Sequence, residues 1–261
     1  MNIKKHIPNA ITCCNLLCGC LAIVQAFEGN LVYSAYLVGL AAIFDFFDGF
    51  AARLLRVASP IGKDLDSLAD MVTFGVVPGF VMFKLIFMGL LVYGIDGLSS
   101  EGWTIYPPLS VNGATNERMI LPEYVIYSAF LIPVFSAIRL AKFNNDNRQS
   151  DSFIGVPTPA NAIFICSIPL IFEHNDISFV LNPYVLIIAT IIFSLLLISE
   201  IPLFALKFRN FSWRGNRIRY TFLGLSLLLL ITLQYVGIPL IIILYILMSL
   251  VTNFYLKRRV V

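Results

Sequence analysis

The chain has 261 residues, of which 59% are hydrophobic and only 13% charged, with a net charge of +3 and a mean hydropathy of +0.86. A soluble domain carries about 25% charged residues, so the composition excludes a soluble enzyme, a disordered chain and a basic nucleic-acid binder. The apolar stretches are continuous and do not alternate, which speaks against a membrane β-barrel and for an all-α polytopic membrane protein, read as one domain over residues 1–261.

A spanning helix needs about 20 apolar residues. Eight segments are predicted: 10–28, 31–55, 66–93, 122–142, 158–173, 181–206, 220–236 and 238–256. The first follows Lys4 and Lys5 and has no small-residue cleavage site, so it reads as a retained helix rather than a signal peptide. Four of the five cysteines, Cys13, Cys14, Cys18 and Cys20, lie in it, and Cys166 is in the fifth segment. Their odd number argues against a disulfide framework, and small apolar packing residues are favoured over a zinc site.

The second segment ends in Phe-Asp-Phe-Phe-Asp-Gly-Phe-Ala-Ala-Arg, and the third opens with Gly-Lys-Asp-Leu-Asp-Ser-Leu-Ala-Asp. Charged residues at a membrane are costly and usually functional. Helical spacing places Asp45, Asp48, Gly49, Ala52 and Arg53 on one face, with Phe46, Phe47, Phe50 and Leu54 pointing away. Asp66 and Asp70, at i and i+4, share a face of the next helix, while Asp64 lies off it and is solvated. A turn through Ser59, Pro60 and Gly62 makes the two helices antiparallel neighbours, so four carboxylates can converge.

Four converging carboxylates need compensation in a poorly hydrated site. Two divalent cations supply it, and oxygen-only ligands suit Mg²⁺ or Mn²⁺. Gly49 and Ala52 leave room for a substrate, and Arg53 is a planar donor fitted to a diphosphate. A cation pathway in a coupled transporter is the rival reading, but transporter carboxylates usually sit near the bilayer midplane.

Further along, Gly75 and Gly79 form a small-xxx-small pair for helix packing within or between subunits. The 94–121 segment is the longest loop, with Trp103 and Tyr106 suited to the interface and no chemistry of its own. A tight turn at Gly237 and Pro239 joins the last two segments. The run Lys207, Arg209, Arg214, Arg217 and Arg219 either holds anionic headgroups or only orients the helices. Of the 18 Lys and Arg residues, only Lys84 and Arg118 fall off one side of the eight-segment topology. The positive-inside rule makes that side cytoplasmic, with both termini and the acidic cluster on it.

The order Asp45-x-x-Asp48-Gly49-x-x-Ala52-Arg53, then Gly62, Asp66 and Asp70, resembles the signature of the CDP-alcohol phosphatidyltransferases. The resemblance implies that Asp45 and Asp66 bridge two metal ions, that Asp48 and Asp70 complete one site each, and that Asp70 is also the general base. Gly49, Ala52, Arg53 and Ser59 would line the CDP-diacylglycerol site. Pro8, Asn9 and Thr12 would contact the nucleotide, although Asn9 and Thr12 also read as a helix cap and its first turn.

Asp66-Ser-Leu-Ala-Asp-Met-Val-Thr-Phe-Gly-Val-Val-Pro, Arg139-Leu-Ala-Lys-Phe-Asn144 and Phe153-Ile-Gly-Val-Pro-Thr-Pro-Ala-Asn161 look like the integral-membrane phosphatidylserine synthase branch. That branch implies transfer of a phosphatidyl group from CDP-diacylglycerol to L-serine with release of CMP, in the inner membrane, by a homodimer. Arg139 is a candidate carboxylate clamp or a topology anchor, with Asn144 and Gly155 as further serine contacts. Glycerol 3-phosphate is the competing acceptor, because Arg139, Lys142 and Arg148 are available to a phosphate.

Overall fold

The computed structural model describes residues 6–57, 59–93, 123–145, 152–175, 178–204 and 213–258. The chain is predominantly helical. Helix α1 spans His6–Phe27 and α2 spans Leu31–Leu55. Helix α3, Pro60–Asp70, runs through a π-helical stretch, Met71–Val76, into α4, Val77–Val92. A 3₁₀ segment, Glu123–Phe130, leads into α5, Leu131–Asn145. Then come α6, Thr158–Asn175, α7, Pro183–Ile198, α8, Trp213–Leu233, and α9, Gly237–Arg258.

Among the described residues, five helical stretches are long and apolar enough to cross a membrane: His6–Phe27, Leu31–Leu55, Pro60–Val92, Tyr124–Asn145 and Asn216–Asn253. The last is two helices, α8 and α9, which pack on each other across a break at Gln234, where φ is 48°. The turn therefore precedes the predicted Gly237 and Pro239, and Gly237 instead starts α9, where a Cβ would stand 2.6 Å from the Leu229 carbonyl oxygen.

Helix α4 is apolar on every side, and such a helix is buried. Val81, Met82, Ile86 and Leu90 are fully enclosed, among α1, α5, α6 and α7. Its one charge, Lys84, is buried and donates from Nζ to the Phe27 carbonyl at the end of α1, 3.0 Å away, which places a cation at the negative end of a helix dipole. The Gly75 and Gly79 pair packs within the chain: a Cβ at Gly79 would stand 2.6 Å from Pro133 Cδ on α5. Of the cysteines, Cys18 and Cys166 are buried and pack as expected, whereas Cys13, Cys14 and Cys20 are exposed on the outer surface of α1.

Two short strands depart from the all-helical expectation. β1, Ser152–Ile154, pairs antiparallel with β2, Pro202–Phe204. The sixth predicted segment accordingly ends at Ile198 rather than 206, because Ser199 turns extended and Pro202 cannot donate to a helical ladder. Gly155 and Val156 donate their backbone N–H groups to the carbonyls of Ile201 and Leu196, at 2.9 and 3.0 Å. Helix α9 locks onto β2 through Tyr245, whose hydroxyl donates to the Phe204 carbonyl at 2.9 Å, and through Asn253 to the Pro202 carbonyl. The start of α6 is thus pinned to the end of α7 and to α9. The loop 94–121 and the basic residues Lys207 and Arg209 lie outside the described residues.

Candidate active site

The acidic site is built at the junction of α2 and α3. Helix α2 ends because Arg56 adopts a left-handed conformation (φ 51°, ψ 42°), with its N–H returned to the carbonyls of Ala52 and Arg53. Helix α3 starts on a Ser59 cap, whose hydroxyl oxygen accepts from Gly62 N–H at 3.0 Å, with Pro60 in the first turn. This short connection brings the two acidic faces together. Asp45, Asp48 and Asp66 each present one carboxylate oxygen, and the three oxygens lie within 4.8 Å of one another. Such an oxygen-only donor set fits a hard divalent cation. Asp70, one turn below Asp66, stands outside that triad but within electrostatic reach of all three carboxylates.

Helix α1 supports these carboxylates. The Thr12 hydroxyl is 2.7 Å from Asp48 Oδ2 and 3.0 Å from the Pro8 carbonyl. Asn15 Nδ2 donates to Asp70 Oδ1 at 3.3 Å. Asn9 packs with Ser59 against Gly62, where a Cβ would stand 3.0 Å from both Asn9 Oδ1 and Ser59 Oγ. Since α1 already begins at His6, Asn9 and Thr12 are inside the helix and neither caps it. Asn15 was not singled out from the sequence. The available signal was the spacing of Asn9, Thr12 and Asn15, a polar stripe at three-residue intervals in an apolar helix.

A cavity of about 260 Å³ opens beside the triad, floored by Asp48 and Asp66 and walled by Pro8, Asn9, Gly49, Ala52 and Ser59. Lys63 also lines it and donates to the Asn144 carbonyl at 3.0 Å. Lys63 stands one turn before Asp66 on α3. Arg53 is exposed, and its guanidinium nitrogens lie 3.9 and 4.0 Å from the position of a Gly49 Cβ. Phe46, Phe47, Phe50 and Leu54 are exposed on the other side of α2, and Asp64 is exposed on α3.

Arg139 is buried on α5 and donates from a terminal guanidinium nitrogen to Thr158 Oγ1 at 3.3 Å, within electrostatic reach of Asp70. Asn144 lies farther out, its Nδ2 donating to Ser67 Oγ at 2.8 Å. Gly155 has φ +76°, and a Cβ there would stand 2.6 Å from the Leu197 carbonyl oxygen, so its place is in the turn that sets the start of α6. Directly after Asp70 the helix widens: Val77 N–H bonds to the Val72 carbonyl five residues back, a π-helical geometry frequent at functional sites.

A family model described as CDP-alcohol phosphatidyltransferase matches residues 5–196, a span that holds the whole acidic site and ends within α7. The chain is similar to a CDP-diacylglycerol–serine O-phosphatidyltransferase of Bacillus subtilis, with 32% identity over 197 residues, which cover 76% of this chain and 89% of the relative. It is 29% identical over 195 residues to a protein of the same name from Methanocaldococcus jannaschii, covering 75% of this chain and 72% of that one. A third, from Helicobacter pylori, is 31% identical over 160 residues, 60% of this chain, which spans about half (54%) of that longer protein.

Proposed function

This chain belongs to the CDP-alcohol phosphatidyltransferase family, and from that premise we propose that it transfers the phosphatidyl group of CDP-diacylglycerol to the hydroxyl of L-serine, releasing CMP. The observation that carries the reading is the Asp45, Asp48 and Asp66 triad opening onto a cavity walled by Gly49 and Ala52. The names of the relatives support serine as acceptor.

In this reading Asp45, Asp48, Asp66 and Asp70 would together hold two Mg²⁺ or Mn²⁺ ions, with Asp45 and Asp66 as the shared ligands. Bound there, the ions would neutralise charge on the diphosphate and on the leaving CMP. Arg53 reaches over Gly49 to the diphosphate, and Ser59, Pro8, Asn9 and Thr12 surround the nucleotide. Arg139 takes the serine carboxylate, Asn144 braces the outer wall, and Gly155 holds the turn that positions α6. An alcohol is a poor nucleophile, so a positioned carboxylate must accept its proton. Asp70 does so as the serine oxygen bonds to the phosphorus that carries diacylglycerol, and the bond from that phosphorus to the CMP oxygen breaks.

The same reading gives a single domain of eight spans in the cell's inner membrane, with both termini and the site cytoplasmic. The charge asymmetry of the sequence supports that orientation, and the family resemblance supports a homodimer. The test is incorporation of radiolabelled serine into lipid by purified protein in CDP-diacylglycerol micelles, with equimolar CMP release that EDTA abolishes and Mg²⁺ or Mn²⁺ restores. Label entering lipid from glycerol 3-phosphate but not from serine would reassign the acceptor. Ion-coupled uptake into vesicles without CMP release would overturn the enzymatic reading.

A further inference from the structure

Buried polar atoms are nearly always hydrogen-bonded, and each exception needs an explanation. Among the described residues the exceptions include the hydroxyls of Ser128, Ser194 and Ser226, but five of the eight atoms belong to Asn15, Ser136, Arg139 and Asn161, on helices α1, α5 and α6, which pack against the π-helical stretch that follows Asp70. Asn161 is fully buried, yet neither its Oδ1 nor its Nδ2 has a partner. Arg139 is buried with its Nε unpaired, Ser136 is fully buried with its hydroxyl unpaired, and Asn15 leaves its Oδ1 unpaired while its Nδ2 serves Asp70.

Their placement is ordered. Ser136 and Arg139 are one turn apart on α5, and Thr158 and Asn161 are one turn apart on α6. The 3.3 Å bond from Arg139 to Thr158 ties the two faces together, and Asp70, which accepts from Asn15, is within electrostatic reach of Arg139. Leaving a carboxamide doubly unpaired costs the folded protein stability for no packing gain. Leucine, of nearly the same size, would fill the position without that cost.

We propose that Asn161 is a specificity-determining residue that binds the zwitterionic end of an amino-acid acceptor, its Oδ1 accepting from the ammonium and its Nδ2 donating to the carboxylate beside Arg139. This rests on the phosphatidyltransferase reading above. The chemistry selects this class of acceptor: a carboxamide offers a donor group, its NH₂, and an acceptor oxygen without net charge, which matches a carboxylate and an ammonium on one carbon. An acceptor without an ammonium, such as glycerol 3-phosphate, would leave Oδ1 unpaired. A site built to hydrogen-bond a substrate group rejects analogues that lack it.

Two variants test the assignment. Asn161→Leu should raise the apparent KM for serine about 10–100-fold, leave the KM for CDP-diacylglycerol unchanged, and leave or raise the thermal midpoint in detergent. Asn161→Asp keeps an oxygen for the ammonium but opposes the carboxylate, so it should raise the activity with ethanolamine relative to serine. A serine KM within twofold of wild type in Asn161→Leu, or an unchanged ethanolamine-to-serine ratio in Asn161→Asp, would overturn the proposal. So would a lowered thermal midpoint with unchanged KM, which marks a structural amide. Wild-type protein with no serine-dependent CMP release would sink the underlying reading instead, so the two failures are distinguishable.

Discussion

Thr12 on α1 places its hydroxyl 2.7 Å from Asp48 Oδ2 on α2, both side chains buried. A hydroxyl has one proton, and the carboxylate at 2.7 Å is a stronger acceptor than the Pro8 carbonyl at 3.0 Å. The bond fixes the orientation of Asp48 toward Asp45 and Asp66. Groups that orient ligating carboxylates typically account for 10–100-fold in metal affinity or activity. Thr12→Val, which keeps the shape and loses the hydroxyl, should raise the Mg²⁺ or Mn²⁺ concentration for half-maximal CMP release by about that factor. Thr12→Ser should restore it. A Val variant with an unchanged metal requirement would reduce Thr12 to packing.

Asp70 and Asp66 lie one turn apart, but only Asp66 belongs to the tight oxygen triad. Asp70→Asn preserves shape and cannot accept a proton. Turnover should fall about 10²–10⁴-fold with CDP-diacylglycerol affinity retained. Asp66→Asn should weaken nucleotide binding as well. Near-normal turnover in Asp70→Asn would remove it as the base.

Arg139 faces Thr158 and Asp70 from the buried side of the site. Arg139→Ala should raise the KM for serine by more than tenfold, the consequence of losing a charge-assisted contact, and change that for CDP-diacylglycerol much less. Lysine should recover little, since it lacks the planar fork. Equal effects on both substrates would return Arg139 to a topological role.

Gly155 combines a left-handed backbone with backbone oxygens of Leu197 and Ser199 at 2.6 and 2.9 Å from a would-be Cβ. Gly155→Ala should cost at least about 2 kcal/mol, the left-handed penalty together with the clash. The expected readout is a lower thermal midpoint in detergent. An unchanged midpoint would show that the turn relaxes freely.

Much of the site was legible from periodicity. The 3.6-residue repeat alone put Asp45, Asp48, Gly49, Ala52 and Arg53 on one face and Phe46, Phe47, Phe50 and Leu54 on the other, and the exposures of those aromatic residues follow that division. The connection through Ser59 and Pro60 was legible too, because capping is local chemistry. Less so were element ends: α3 starts at Pro60, before the apolar run, since its 11 residues are amphipathic rather than spanning.

By itself, then, the sequence determined that the chain is a bundle of apolar helices with an acidic seam, for two local reasons. Uncharged runs of about 20 residues have few other stable forms, and carboxylates spaced on helical faces must share them. Only the tertiary structure decided that Thr12 serves Asp48, that Asn15 serves Asp70, and that Lys84 closes the end of α1. It also decided that a strand pair pins α6, and that Asn161 is buried unpaired beside Arg139's partner Thr158. These contacts join helices 19 to 57 residues apart in sequence. No periodicity within one helix encodes the rotation at which it meets another. That rotation is set by which small residues let backbones approach, as Gly79 does against Pro133.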